Sequence, residues 1–329
     1  MNSPFRLGFD NYALRSLGWK TGEILNHAAK LKLDAVLFSD FDVYESLADD
    51  HLRDLKLRAS DLGIALYAGM LSICPSSMIF DPHRGTAEEQ LRLCLRIAKL
   101  LGSPVARCVL GKVDDRRSPG GIAARTAETV AVLRHVRTEA LDSGIMIAVE
   151  NHAGDLTSTE LLELIDTAGR DFVGVTLDTG NALWALEEPL AALETLGAVT
   201  VCTGIRDSHL WETPEGVTLQ WTAVGAGLVD WAAFLRRFAE LCPQAPVILE
   251  TISGRPIFLP MLRDYFWDAY PRATPQTLTR MLRLARQGEP REPFSPPLGT
   301  SGLRAEQEMQ LAELERSVRH CRKVFVELD

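Results

Sequence analysis

The sequence predicts an α/β protein in which eight parallel strands close into a (β/α)8 TIM barrel. Eight short runs of apolar and β-branched residues follow one another along the chain, and amphipathic helical segments separate them. Runs without polar alternation are typical of strands buried on both faces, and intervening helices favour a parallel sheet that eight units can close. The runs are 5–9, 34–38, 64–68, 105–110, 145–150, 173–178, 199–205 and 246–250.

The segments between these runs carry the end signals of helices. Thr21 opens one segment, and Gly63 and Gly102 follow two others at positions where glycine commonly ends a helix. The alternative fold is an open doubly wound sheet, and the absence of a GxGxxG motif after the first run argues against it. Helices are therefore expected over 21–31, 52–62, 86–101, 121–142, 158–168 and 231–241.

A C-terminal extension is expected to follow the barrel, which divides the chain into 1–253 and 254–329. The first part of the extension is rich in proline and aromatic residues, a composition too apolar for a disordered tail, so we expect it to wrap the barrel. An amphipathic helix is predicted over 302–325. This helix fits either packing on its own barrel or a dimer arm in a homo-oligomer, and we favour the first.

The bulk properties indicate a globular protein without nucleic-acid or membrane partners. The chain has 329 residues, 46% of them hydrophobic, and a net charge of −9 that does not favour binding to nucleic acid. It contains no apolar run of about 18 residues, and its first residues do not resemble a signal peptide. None of the six cysteines forms a CxxC pair, so buried reduced thiols and a cytoplasmic location are expected.

Three of the predicted strands end in an acidic residue: Glu150, Asp178 and Glu250. Catalytic groups of an α/β barrel lie where strands end and βα loops begin. Ionised carboxylates at the ends of buried strands are costly and repel one another, and a divalent cation between them resolves both problems. Carboxylates joined by one imidazole suit Mn, Mg, Co or Zn, and such an ion acts as a Lewis acid that orients a hydroxy-carbonyl substrate.

At these residues the sequence resembles the sugar phosphate isomerase/epimerase family of the xylose isomerase-like barrel superfamily. The resemblance covers about residues 5–252 and rests on VENH at 149–152, VTLDTGNA at 175–182, IRD at 205–207, WTAVGAGLVDW at 221–231 and ILET at 248–251. It implies a metal held by Glu150, Asp178, a histidine and Glu250. The histidine position is occupied by Gly204, so His209 is the expected replacement; Asp207, His152 or a water molecule are the alternatives.

The resemblance also implies an enzyme acting on a small sugar, sugar phosphate or sugar acid. In epimerases of the family, residues matching Glu150 and Glu250 exchange protons on a ketose carbon, and a metal stabilises the enediolate. The alternative is a lyase, such as a decarboxylase of a 3-oxo sugar acid or an enzyme that cleaves oxidised glycosides, with His152 as acid/base. Substrate contacts are expected from Arg206, whose guanidinium can clamp two oxygens, from Asn181, where the epimerases often carry histidine, and from Trp211.

Two other classes remain less favoured. Apurinic endonuclease IV shares the fold, but it needs more metal-binding histidines and a basic track for DNA. A non-catalytic barrel that has lost its metal is compatible with Gly204.

Overall fold

The computed structural model describes residues 5–328, which contain a barrel of eight parallel strands. The barrel strands pair in the order β10–β1–β2–β3–β4–β5–β6–β7, and the remaining strands form a separate antiparallel sheet. In chain order the strands are β1 (Leu7–Asp10), β2 (Ala35–Phe38), β3 (Ala65–Ser72), β4 (Val105–Val109), β5 (Met146–Glu150), β6 (Val173–Asp178), β7 (Thr200–Gly204), β8 (Asp207–Thr213), β9 (Gly216–Thr222), β10 (Val247–Leu249) and β11 (Pro256–Leu259).

Backbone contacts between β7 and β10 close the barrel. The amide of Ile205 donates to the carbonyl of Ile248 at 2.6 Å, and the amide of Glu250 donates to the carbonyl of Ile205 at 3.1 Å. The hydroxyl of Thr203 adds a bond of 2.8 Å to the carbonyl of Pro246. The barrel predicted from the eight apolar runs is therefore confirmed, with each run overlapping one barrel strand.

The helices on the outside of the barrel also follow the predicted segments closely. The segment 121–142 differs, because Val136 leaves helical geometry and divides it into two helices. The helices are α1 (Thr21–Lys30), α2 (Asp49–Asp61), α3 (Ala87–Leu101), α4 (Gly121–His135), α5 (Arg137–Ser143), α6 (Ser158–Ala168), α7 (Thr179–Trp184), α8 (Pro189–Leu196), α9 (Trp231–Leu241), α10 (Asp264–Trp267), α11 (Pro275–Ala285) and α12 (Gly302–Leu328).

The hydrophobic core has two layers around the barrel wall. Inward-facing residues of the strands fill the barrel itself, among them Leu37, Tyr67 and Ile248. A larger cluster lies between the strands and the surrounding helices. The barrel interior is thus packed, which leaves the carboxyl ends of the strands as the place for polar groups.

A β-hairpin after β7 was not predicted. Strands β8 and β9 pair antiparallel, and β11 from the extension adds to the free edge of β9. Strand β8 (DSHLWET) contains mostly polar side chains, with Leu210 buried against the extension, unlike the continuous apolar runs of the barrel.

The extension packs against the hairpin and the barrel, apart from residues 291–299, which are exposed. Helices α10 and α11 cover the hairpin in a separate apolar cluster that includes Leu219, Phe266 and Met281. Helix α12 returns to the start of the chain, where the side chain of Gln310 accepts from the amide of Ser16 at 3.0 Å. Packing of the last helix on its own barrel was the favoured expectation. In the part of the chain that is described, none of the helices combines the length and apolarity that a membrane crossing requires.

The fully buried carboxylate of Asp207 fixes the hairpin to the loop that follows it. Its oxygens accept bonds from the amides of Gly225, Gly227 and Val229 at 2.9, 3.1 and 3.2 Å. They also accept from the indole nitrogen of Trp231 at 2.8 Å, at the start of α9. A single side chain therefore positions both the hairpin and the next helix.

We predict that Asp207→Asn lowers the free energy of unfolding by at least about 2 kcal/mol, because an amide NH2 would then face several N–H donors. The matched control is Asp230→Asn, in which an exposed cap of α9 becomes another good capping residue, with an expected change within about 0.5 kcal/mol. Urea denaturation followed by circular dichroism measures both variants. Equal losses would contradict the assigned role of Asp207.

Candidate active site

The carboxylates that end three barrel strands come together at one end of the barrel. Glu150 ends β5, Asp178 ends β6 and Glu250 directly follows β10, and each is at most 6% exposed. One oxygen of each lies within 4.8 Å of the others, and within the described residues this is the group able to hold a metal ion. Parallel strands present their carboxyl ends at the same rim, which explains the convergence of residues so distant in sequence.

Neighbouring amides fix the position of Asp178. The amide of Asn181 donates to Asp178 Oδ1 at 2.7 Å, so the carboxylate also caps helix α7. The side chain of Asn151 bonds both backbone groups of Asp178, at 2.8 Å each. The Asn181 amide group donates to Glu150 Oε1 at 3.2 Å and so links two of the carboxylates.

Two buried arginines neutralise part of this negative charge. Arg107, on β4, donates from Nε to Glu150 Oε2 at 2.7 Å. Arg206 donates from Nε to Asp178 Oδ2 at 2.9 Å, and its NH2 group lies 3.2 Å from Glu250 Oε2. Burial alone would lower the pKa of both guanidinium groups, but the surrounding carboxylates raise it overall. Both arginines are therefore cations inside the barrel mouth.

Arg107 was missed in the sequence, although a signal was present. It is a charged residue in the middle of an otherwise apolar strand, VARCV, where burial demands a partner. Asp10 at the end of β1 is a fourth buried carboxylate close to the same cluster. Its pKa is raised by burial and by the charge of Glu250, and the Ser39 hydroxyl donates to it at 2.6 Å.

Gly204 leaves no side chain at the expected histidine position. A Cβ atom placed there would lie 2.7 Å from Asp178 Oδ2 and 3.3 Å from Glu250 Oε2. Gly204 is paired with Asp178 in the register of β6 and β7. The present arrangement of the carboxylates therefore depends on glycine at this position.

The structure does not bring His209 to the carboxylates. Its Nε2 lies 2.9 Å from the carbonyl oxygen of Glu289 and 3.2 Å from the amide of the same residue, in the extension. The alternative ligand Asp207 is occupied by the bonds to the following loop. Both residues lie on β8, whose hairpin course carries them away from the triad of Glu150, Asp178 and Glu250, so neither is retained as a metal ligand.

His152 lies beside the carboxylates and has a defined tautomer. Its Nδ1 lies 2.6 Å from the carbonyl oxygen of Gly111, which requires a proton on Nδ1 and leaves Nε2 as the basic nitrogen. Burial lowers the pKa of His152 more than the charge of Glu150 raises it. Burial thus favours the neutral imidazole, in which Nε2 carries no proton.

A cavity of about 790 Å3 borders the carboxylate cluster at Glu250. Its wall includes Trp184 and Trp221, whose rings make an edge contact at 5.6 Å, whereas the predicted contact Trp211 is not among the lining residues. Arg206 stacks on Trp221, with Cζ 4.3 Å from the ring centroid. Charged and polar groups at the wall include Arg15, Lys20, Asp40, Arg107, His152, Asn181, Arg206, Glu250 and Arg255.

The donor atoms fit a divalent cation that prefers oxygen ligands. The triad supplies three carboxylates, and the amide oxygen Oδ1 of Asn181 is buried without a hydrogen-bond partner among the described residues. A buried acceptor without a partner calls for an explanation, and a cation bound beside the carboxylates would supply its missing partner. The fit is to an all-oxygen set, because neither Gly204 nor His209 supplies an imidazole.

Comparison with known proteins agrees with this architecture. The chain is 26% identical over 196 residues to 3-oxo-isoapionate decarboxylase of Pectobacterium atrosepticum, covering 59% of this chain and 64% of that protein. The chain thus matches less than two thirds of the length of this relative.

Solved structures share the fold at lower identity. A D-psicose 3-epimerase solved with D-fructose superimposes with a TM-score of 0.61 at 19% identity, covering 97% of this chain and 99% of that one. The IOLI protein with a bound zinc atom gives a TM-score of 0.59 at 18% identity, covering 86% and 99%.

The sequence model of one family matches residues 16–278, well over half of the chain. That match agrees with the eight-stranded barrel and with the resemblance read from the sequence motifs. The chain belongs to the xylose isomerase-like TIM barrel family.

Proposed function

We propose that this chain is a divalent-metal-dependent enzyme that acts on a small oxo sugar or sugar acid at the carbon next to a carbonyl group. The observation that carries the proposal is the buried triad of Glu150, Asp178 and Glu250, which at Glu250 borders a cavity large enough for a small sugar. Carboxylates buried without sufficient countercharge are costly, so a cluster of them in a cavity indicates a functional site.

The metal would be held by Glu150, Asp178 and Glu250, with the Asn181 amide oxygen as a further donor. When bound, a divalent ion acts as a Lewis acid on carbonyl and hydroxyl oxygens. The protein contributes the tryptophan wall, which excludes water from one side of the cavity, and Arg206, which presents a cation to an anionic substrate group.

Two reactions use such a site, and both pass through an enediol or enediolate. In isomerisation or epimerisation, a base removes a proton next to the carbonyl and the proton returns elsewhere. In decarboxylation of a 3-oxo acid, the bond to the carboxylate carbon breaks, its electrons move toward the carbonyl, carbon dioxide leaves and a proton then adds to carbon.

The geometry favours decarboxylation over epimerisation. Epimerisation needs two free bases at one carbon, but both oxygens of Glu150 already accept hydrogen bonds, from Arg107 and from Asn181. Decarboxylation needs only one proton donor, and it suits a cavity that presents Arg206. The similarity to a decarboxylase of an oxo sugar acid points the same way. Isomerisation of a ketose is the second candidate, supported by Glu250, whose Oε2 lies 3.2 Å from the NH2 group of Arg206, farther than Glu150 lies from Arg107.

The first test is proton NMR in deuterated water with a panel of 3-oxo sugar acids and ketoses. We predict that the spectra will show the product that one of the acids forms when it loses carbon dioxide. Glu250→Gln should lower the turnover by about 100-fold or more, because the variant loses a carboxylate at the reacting centre. The surface variant Glu240→Gln, which removes a carboxylate paired with Arg237, is the control and should retain activity. Deuterium incorporation into a ketose without mass loss would instead establish the isomerase.

We further predict that the purified protein binds one divalent metal and that Asp178→Asn abolishes most of this binding. Asparagine preserves the cap of α7 but removes a charged ligand, so the fold should survive. The matched control is Asp230→Asn, which alters a helix cap outside the triad in the same way. Elemental analysis after dialysis measures the metal content. A metal-free wild type, or equal metal content in both variants, would contradict the metal site.

A further inference from the structure

The guanidinium of Arg206 contacts two of the three candidate metal ligands. Its Nε and NH2 groups both donate to Asp178 Oδ2, and NH2 also lies 3.2 Å from Glu250 Oε2. The side chain is 3% exposed, so water does not screen these contacts. Without a metal, an internal cation therefore balances the same carboxylates.

Glycine at position 204 makes this arrangement possible. The space beside Asp178 and Glu250 contains no side chain from position 204, where even a Cβ atom would contact both carboxylates. Arg206 lies two residues further along the chain and contacts the same oxygens of Asp178 and Glu250. A guanidinium and a divalent ion repel each other strongly at short range in a buried site, so the two cations cannot share these oxygens at full strength.

A displaced Arg206 has a defined place to go. Its Cζ lies 4.3 Å from the ring centroid of Trp221, and both residues line the cavity. The indole of Trp221 is fixed by a bond of 3.1 Å from Nε1 to the carbonyl of Gly180. A guanidinium that leaves Asp178 can thus keep its stacking contact while its donors turn to the cavity, where a carboxylate can accept them in a fork.

We propose that Arg206 couples the binding of the metal to the binding of an anionic substrate group, an inference that rests on the proposed function. The anion attracts Arg206 away from Asp178 and Glu250, and the freed carboxylates bind the divalent ion. Because coupling between two ligands is reciprocal, the metal also raises the affinity for the anion by the same factor. The metal and a substrate with a carboxylate or phosphate then each bind more tightly when the other is present.

The test is calorimetric titration with Mn2+ alone, without substrate, of the wild type and of Arg206→Met. Removing the competing guanidinium should lower the Kd for Mn2+ by about 5- to 150-fold, the usual range of coupling between sites. Arg206→Lys retains a charge without the fork and should fall between the two. Arg237→Met removes a surface arginine paired with Glu194 and should match the wild type.

A second measurement separates direct coupling from a general change in charge. Glycerate, a small carboxylate, should tighten Mn2+ binding to the wild type but not to Arg206→Met. Chelation of Mn2+ by glycerate in solution affects both titrations equally, so the variant also serves as the control for chelation. Mg2+ should change the tryptophan emission of the wild type, and Trp221→Phe should remove that change.

Each outcome decides the question. Equal Kd values for the wild type and Arg206→Met, or an equal effect of glycerate on both, would overturn the coupling and leave the metal site intact. If neither the wild type nor Arg206→Met binds Mn2+, the coupling and the metal part of the proposed function are both overturned. If Arg206→Met does not fold by circular dichroism, Arg206→Lys decides in the same titrations, and a Kd equal to that of the wild type overturns the coupling.

Discussion

Burial of acidic groups at one end of the barrel is the constraint on which the site depends. Asp10, Glu150, Asp178 and Glu250 converge there with two buried arginines as the nearest countercharges. If all the carboxylates are ionised, two negative charges stay unbalanced, which is the charge of one divalent ion. Burial raises the pKa of Asp10 and Asp178, so protons are the other means of balance. The chemistry of the site depends on whether a divalent ion or protons balance this negative charge.

The barrel could be predicted because its strands are buried on both faces, and such strands read as short apolar runs separated by helices. The hairpin of β8 and β9 could not, because its strands mix polar and apolar residues and resemble a loop. One signal was overlooked: Thr213, Pro214, Glu215 and Gly216 separate two β-rich stretches, a composition typical of a turn. The division of the chain at residue 253 remains a prediction, since β11 of the extension pairs with β9.

The candidate site was predictable where it depended on strand ends. Glu150, Asp178 and Glu250 each end or follow an apolar run, and parallel strands bring such ends to one rim. His209 was chosen because it lies near Gly204 along the chain. A β-strand moves successive residues away from the rim, and the imidazole of His209 contacts Glu289 instead. The position of Arg107 inside an apolar strand indicates that it needs a partner. The identity of that partner, Glu150, cannot be read from any local sequence pattern.

The pairing of β11 with β9 has a consequence for how the chain avoids self-association. Without residues Pro256–Leu259, the edge of β9 would present a row of unpaired amides and carbonyls beside apolar side chains such as Val217 and Leu219. Such edges recruit strands from other molecules and lead to aggregation. The same segment contributes Ile257 to the cavity wall. One short strand therefore covers the seven-residue edge of β9, leaves its own four residues as the new edge, and completes part of the cavity wall.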